Sequence, residues 1–399
     1  MEKENRAAKI GEFLFYIALV IEIGIVIVDK SALINPIEGR LFQLTFLLCA
    51  VKIAMTKYTL KEWVLMALFV ILGVVTDHFT GRNEIIRFVA FIAASKNIEV
   101  KTVLKVTFYV TLTGVLSLIA LSLMGILGQV YVEADFRETG IERRYCLGLG
   151  HPNALHCMAW ALTTLAIYLY MNKMRWFHYL CLMMLHLGLF LLTDSRSGLA
   201  AAFITIGLGF LFYLFPKLKV NKWIYMLGIA GFLGGVLFSI IIARYGLNDD
   251  YIMPALFEWM DKYLTGRLRW SCFHGGTQYW SLFSCPDNSF YFDMGYIRMF
   301  FWYGIIPASI FIIVRVLQLV DIWRKKDAGA FLVVMSFCIY TVFEAHAVSV
   351  YIARDYALLL LFGVWKNNYI INSEDSCYVW QIIKTKNKYQ REITNEHNK

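Results

Sequence analysis

The residues able to do chemistry in this 399-residue chain fall in a few short polar stretches. Arg144 lies shortly before Gly150-His151-Pro152-Asn153, and a second stretch reads Asp194-Ser195-Arg196-Ser197-Gly198. Further along come Asp261, Arg267, His274, the pair Asp287-Asn288, and Glu344 with His346. A guanidinium is a planar fork that binds phosphate oxygens in pairs and stays charged when half-buried, so Arg144, Arg196 and Arg267 are candidates to hold a pyrophosphate. Imidazole titrates near neutral pH and can take a proton from a hydroxyl; His274, followed by Gly275 and Gly276, is the first candidate base. Glu344, His346 and Asp287 are its rivals, a carboxylate needing partial burial to raise its pKa for that work. His151, Asn153 and Asn288 are read as substrate-binding groups, and His151 and Asn153 serve equally as helix caps. The plainer readings are a salt bridge to Asp261 for Arg267 and an ordinary loop histidine for His274. No Asp-x-Asp pair and no Gly-rich dinucleotide fold accompanies these residues, which argues against a metal-dependent nucleotide-sugar reaction.

The elements that carry these stretches are apolar. Hydrophobic residues make up 59% of the chain and charged ones only 17%, whereas soluble domains carry about 25% charged residues. Apolar runs occur at 13–28, 41–56, 60–75, 85–95, 106–127, 152–170, 177–192, 198–215, 223–243, 297–320, 328–343 and 346–365. A bilayer-crossing helix needs about 20 residues, so the expectation is an all-α polytopic transmembrane helical bundle of about twelve spans. Short runs and the charges Lys52, Arg87 and Arg354 leave ten or eleven open. The first run, after Lys3, Arg6 and Lys9, reads as an uncleaved span. Residues 1–365 form the membrane domain and 366–399 a polar tail. This composition excludes a soluble enzyme, a nucleic-acid binder and a disulfide-stapled secreted domain.

Lysines concentrate in the segments that alternate with those holding the arginine stretches. The rule that cationic loops stay inside then places both termini in the cytoplasm and 128–151 and 244–296 outside. An insertion as long as 244–296 in a compact bundle is usually functional. Its Trp259, Trp270, Trp280, Tyr263, Tyr279 and Tyr291 either sit at headgroup level or hold the faces of sugar rings. The helices starting near 152 and 198 point their positive N-terminal ends outward, beside Arg144 and Arg196. Within the spans, Glu22 and Lys52 are candidates to pair, and Arg354 or Asp355 should meet a partner on another helix. Arg87, Arg298 and Arg315 line a phosphate groove or snorkel, with snorkelling favoured for the last two. Cys272 and Cys285 leave a loop disulfide open. Gly228, Gly231, Gly234 and Gly235 suit close helix packing.

The stretches RRYCLGLGHPNALH (143–156), LLTDSRSGL (191–199), DKYLTGRLRW (261–270) and DNSFYFDMGYIRMFFWYGIIP (287–307), in that order, resemble the Wzy-type polysaccharide polymerases, relatives of the O-antigen ligases. The resemblance spans roughly residues 60 to 365. It implies an enzyme of the bacterial cytoplasmic membrane that polymerises oligosaccharide repeat units carried on undecaprenyl pyrophosphate, at the outer leaflet. A sugar hydroxyl would attack the anomeric carbon and pyrophosphate would leave, so cations, orientation and one base suffice. The lipid carrier supplies the activation, and no cofactor or metal is expected. A flippase and a chain-length regulator are the expected partners besides the bilayer. Two alternatives stay open: a ligase with the same donor and another acceptor, and a flippase or transporter, although no internal repeat of the transporter kind is present. The topology is checked with a cysteine at position 281, which an impermeant maleimide should label on intact cells; labelling only after permeabilisation would overturn the outward placement of 244–296.

Overall fold

The computed structural model describes residues 2–31, 33–135, 140–246, 254–264, 266–345 and 348–366. His346 and the tail beyond residue 366 lie outside the described residues. The chain opens with α1 (Glu2–Lys30), α2 (Glu38–Ala54), α3 (Leu60–Thr80), α4 (Glu84–Ala94) and α5 (Val100–Leu123). A hairpin of β1 (Tyr131–Ala134) and β2 (Glu142–Tyr145) follows, with Val132 opposite Arg144. Then come α6 (Pro152–Tyr170), α7 (Trp176–Thr193), α8 (Arg196–Leu214) and α9 (Lys222–Tyr245). The long loop holds α10 (Pro254–Tyr263) and α11 (Arg267–Gly275), and the chain closes with α12 (Gly295–Tyr303), α13 (Ile305–Lys325), α14 (Ala328–Phe343) and α15 (Tyr356–Leu359).

The helix ends follow from local chemistry. Thr59 and Glu62 form a reciprocal capping box at the start of α3, and Gly81 closes that helix at φ +67°. Asn221 and Asp327 cap α9 and α14. Pro152 occupies the first turn of α6, where its missing N–H leaves nothing unsatisfied. Asp194, at φ 49°, ends α7 and lets α8 begin two residues later.

Among the described residues, seven helices are long and apolar enough to cross a membrane: 6–30 of α1, with α3, α5, α7, α8, α9 and α13. The shorter α14 and the more polar α6 are the most enclosed, packing against α8 and each other. Trp160 lies at their meeting point, 4.4 Å from the Tyr340 ring and 4.8 Å from Phe337, and donates to Thr205 Oγ1. The helices alternate in direction, so their connections gather at two ends. At one end Gly150 N donates to Lys30 O, Arg82 reaches Asn288 O, and Arg144 meets Asp194. At the other, Lys96 pairs with Glu62 at 2.6 Å and Tyr225 donates to Lys219 O.

Several expectations are corrected. The run 297–320 is two helices, because Gly304 at φ 94° breaks it against the backbone of Phe283 and Ser284. The run 346–365 is no single helix: its described part is a 3-10 turn at Ile352–Arg354, the four-residue α15 and a second 3-10 stretch. Polar anchors explain this, since Asp355 caps α15 and Gln318 Nε2 donates to Ala357 O. Glu22 pairs with Arg87 at 3.3 Å, while Lys52 donates to Thr56 Oγ1 and Lys96 O. Arg315 does not snorkel; it is buried against Asp355 at 3.0 Å, the partner on another helix that the Arg354-Asp355 pair required. Arg298 is also buried, its guanidinium over the rings of Tyr291 and Trp302. Cys272 and Cys285 are free thiols, the first buried and the second exposed.

The glycines of α9 divide into two kinds. A Cβ at Gly228 would meet the Phe331 ring at 2.5 Å, whereas one at Gly231 or Gly234 would meet nothing within 4 Å. Forcing a methyl into a filled contact typically costs about 1–3 kcal/mol. Gly228→Ala should therefore lower the melting temperature of the detergent-solubilised protein, with Gly231→Ala and Gly234→Ala unchanged or slightly raised. Equal behaviour of all three by scanning fluorimetry would show that α9 does not pack on α14 through this face.

Candidate functional site

A cleft of about 530 Å³ opens at the end of the bundle where the arginine stretches converge. Its floor is built from the start of α6 and the α7–α8 junction: His151, Asn153, Asp194, Ser195, Arg196 and Ser197. The hairpin contributes Arg144, and the α10–α11 segment contributes Tyr263, Leu264, Gly266, Arg267 and Trp270. Tyr291, Phe292 and Asp293, just before α12, complete the wall.

Each arginine is held differently. Arg144 is buried, with Glu142 at 2.6 Å and Asp194 at 3.1 Å, so it straps the hairpin to the end of α7. Arg267 starts α11 directly after Gly266, which takes φ +78° to turn the chain into the helix. Its Nη1 donates to Glu344 Oε1 at 2.6 Å and to Phe343 O at 3.2 Å, and its Nε faces Asp293 at 3.0 Å. Arg196 is exposed at the first position of α8 and has no ion pair among the described residues. The Ser195 side chain makes no cap, so the positive end of α8 opens beside that free cation.

Glu344 terminates α14 and is 15% exposed, behind the cleft surface. Besides Arg267 it accepts a 2.8 Å hydrogen bond from Ser197 Oγ, a cleft residue. Burial pushes its carboxyl above the ordinary range, against the pull of Arg267 and Ser197; nearby Asp293 adds to the rise. For Arg267, burial disfavours the cation, but Glu344 and Asp293 outweigh it and raise its pKa. His151 Nδ1 accepts from Asn153 N at 3.1 Å. A neutral His151 therefore carries its proton on Nε2 and acts as a donor there, not as a base. Burial lowers its pKa, with Arg144 and Arg267 acting the same way against Asp293.

The structure thus brings Arg144, His151, Asn153, Arg196 and Arg267 into one cleft, with Glu344 directly behind it. It does not bring His274, Asp287 or Asn288 there. His274 lies flat on Phe290, 3.7 Å between centroids at 10°, with Trp270 edge-on at 4.4 Å. Its Nε2 is buried without a hydrogen-bond partner, so it is one layer of an aromatic stack. Asp287 is exposed in a loop, and Asn288 pins that loop by donating to Ser284 Oγ at 2.8 Å and Phe301 O at 3.3 Å. Asp261 does not pair with Arg267; it accepts from the backbone of Arg269.

Asp194 and Ser197 from the second polar stretch and Tyr263 from the loop aromatics also line the cleft, together with Asp293, which sequence alone does not single out. A buried chain also went unread: Thr163 Oγ1, His186, His156 and Thr193 Oγ1 lie in hydrogen-bond sequence at 3.0, 3.2 and 3.2 Å. The readable signal was spacing, since His156 and Thr163, and His186 and Thr193, are each seven residues apart on one helix face. The chain matches no family model, no curated protein and no solved structure.

Protonating Glu344 removes one of the two carboxylates holding Arg267, and its raised pKa brings that event above the ordinary glutamate range. Sulfate, which keeps its charge across this range, should therefore bind more tightly as pH falls below neutral. Glu344→Gln should bind sulfate tightly with a flattened pH slope, while His151→Gln, the control for the other titrating group, keeps the slope. Calorimetry on protein in lipid nanodiscs checks this; identical slopes in wild type and Glu344→Gln would remove Glu344 from control of the cleft's charge.

Proposed function

We propose that this chain is a membrane glycosyltransferase that joins oligosaccharide units carried on undecaprenyl pyrophosphate into a surface polysaccharide, at the outer face of the bacterial cytoplasmic membrane. One observation carries the reading: the arginine cleft adjoins an apolar groove. The groove, about 290 Å³, runs between α9 and α14 along Gly231, Gly235, Phe238, Ile339, Val342 and Phe343. It ends at Phe343, whose carbonyl is held by Arg267. An isoprenoid tail and a diphosphate head require this adjacency of dry groove and cationic cleft. A soluble sugar nucleotide would need only the cleft.

Arg196 supplies the open fork for the diphosphate, and Arg144 backs it from the hairpin. The acceptor hydroxyl approaches Ser197, whose own proton points to Glu344. As the acceptor oxygen bonds to the anomeric carbon, the bond from that carbon to the phosphate oxygen breaks. The hydroxyl proton passes to Ser197 as the serine proton passes to Glu344, and the diphosphate leaves as an anion. A protonated Glu344 holds Arg267 less strongly, so the guanidinium turns toward the negative charge forming on the leaving group. Base and electrophile are thus one coupled pair.

With purified lipid-linked repeat units, Glu344→Gln should lower polymerisation by about two orders of magnitude, the usual scale for losing a general base. Arg196→Lys should be nearly as harmful as Arg196→Ala, because lysine keeps the charge and loses the fork. His274→Ala should retain most activity. A dead His274→Ala beside an active Glu344→Gln would return the base to His274, and an inactive wild type would sink the reading.

A further inference from the structure

An aromatic surface continues outward from the cleft beyond anything the bond-forming step needs. On α10, Trp259 and Tyr263 are one turn apart, their rings stacked at 5.6 Å with 30° between planes. Both are more than 60% exposed, at 62% and 64%. Tyr263 belongs to the cleft wall, which Trp270 also lines, as well as to this pair, so Trp259 extends the aromatic lining of the cleft outward. Large exposed rings kept in register on a helix are unfavourable in water unless something covers them.

The residues around the pair favour one occupant. Exposed Glu258 and Lys262 lie one turn apart on α10 and form a charged stripe next to the stripe of Trp259 and Tyr263. An acyl-chain anchor would have to desolvate those charges. A sugar ring does not: its axial C–H face covers an aromatic ring while its equatorial hydroxyls reach the polar groups at the rim. The surface is also continuous with a cleft that offers Asn153 and Asp293 to further hydroxyls.

We infer that Trp259 and Tyr263 form a glycan subsite that holds the carbohydrate chain outside the cleft, at least one ring away from the reacting bond. The inference rests on the proposed function and names where its substrate's sugar chain lies. A chain long enough to reach Trp259 gains a contact that a single repeat unit lacks, so the protein prefers longer glycans.

The test uses the full chain in nanodiscs and delipidated glycans of one repeat and of several repeats, released from the lipid-linked precursor. Wild type should bind the longer chain more tightly by about two- to tenfold, the range of one aromatic contact. Trp259→Ala should abolish that difference and Trp259→Phe should keep it. Equal affinity of wild type for both lengths, or an unchanged length preference in Trp259→Ala, overturns the subsite while leaving the proposed reaction standing if lipid-linked units are still polymerised. Brominated lipids supply a second measure. Quenching that is lost on going to Trp259→Phe would show the ring in the bilayer, and the pair would be a lipid anchor instead.

Discussion

The Arg267–Glu344 ion pair is the contact on which the working end of the molecule depends. Its two residues stand at the start of α11 and the end of α14, and their remaining hydrogen-bond capacity reaches Ser197 in α8 and Asp293 before α12. Four separate parts of the chain are fixed by one half-buried pair. Removing one partner of such a pair leaves the other charge without compensation, at a cost of about 3–5 kcal/mol when buried. Arg144 ties the hairpin wall to the end of α7 in the same way, whereas the α10–α11 segment otherwise joins the bundle mainly through packing around Phe257, Leu268 and Cys272. The pair therefore holds the α11 wall in place as well as setting much of the cleft's charge.

The same rule governs the apolar interior. A charge at membrane depth persists only with a partner, and here the partners come from distant parts of the sequence. Glu22 in α1 meets Arg87 in α4, whose Nη1 also holds Val350 O. Arg315 in α13 meets Asp355, which in turn caps α15. These pairs explain how the irregular stretch at 348–366 can lie inside the bundle: its free backbone groups and its carboxylate are taken up by side chains from neighbouring helices. Polarity in the interior is thus the means by which broken helices are accommodated.

Most of the helices were legible because burial and span length leave a direct mark on composition. The runs at 60–75, 177–192, 198–215 and 223–243 became α3, α7, α8 and α9 with ends displaced by only a few residues. The arginine stretches were legible for a related reason, since polar residues in an apolar chain collect at helix ends. What composition does not carry is direction. His274 has the right chemistry and the right loop, yet its place in the last turn of α11 turns it onto Phe290. The break at Gly304 was hidden because the residues on both sides are apolar, and it is the φ of 94° and the close approach of the 282–284 backbone that require a glycine there. The partner of Arg267 is 77 residues away, while Asp261, six residues away and the nearer choice, is taken up by Arg269.

The charges of the cleft are almost balanced before any ligand arrives, and this shapes what the site can select. Arg144 already holds Glu142 and Asp194, and Arg267 holds Glu344 and Asp293, so among the described residues Arg196 is the cleft arginine without an ion pair. A monovalent anion gains one contact. A diphosphate carries enough oxygens to bridge from Arg196 to a second guanidinium, and so can displace a carboxylate from a fork it already occupies. The carboxylate easiest to displace is the one that burial already biases toward its neutral form, which is Glu344. On the proposed reaction, recognition of the anion and readiness to take a proton draw on the same group.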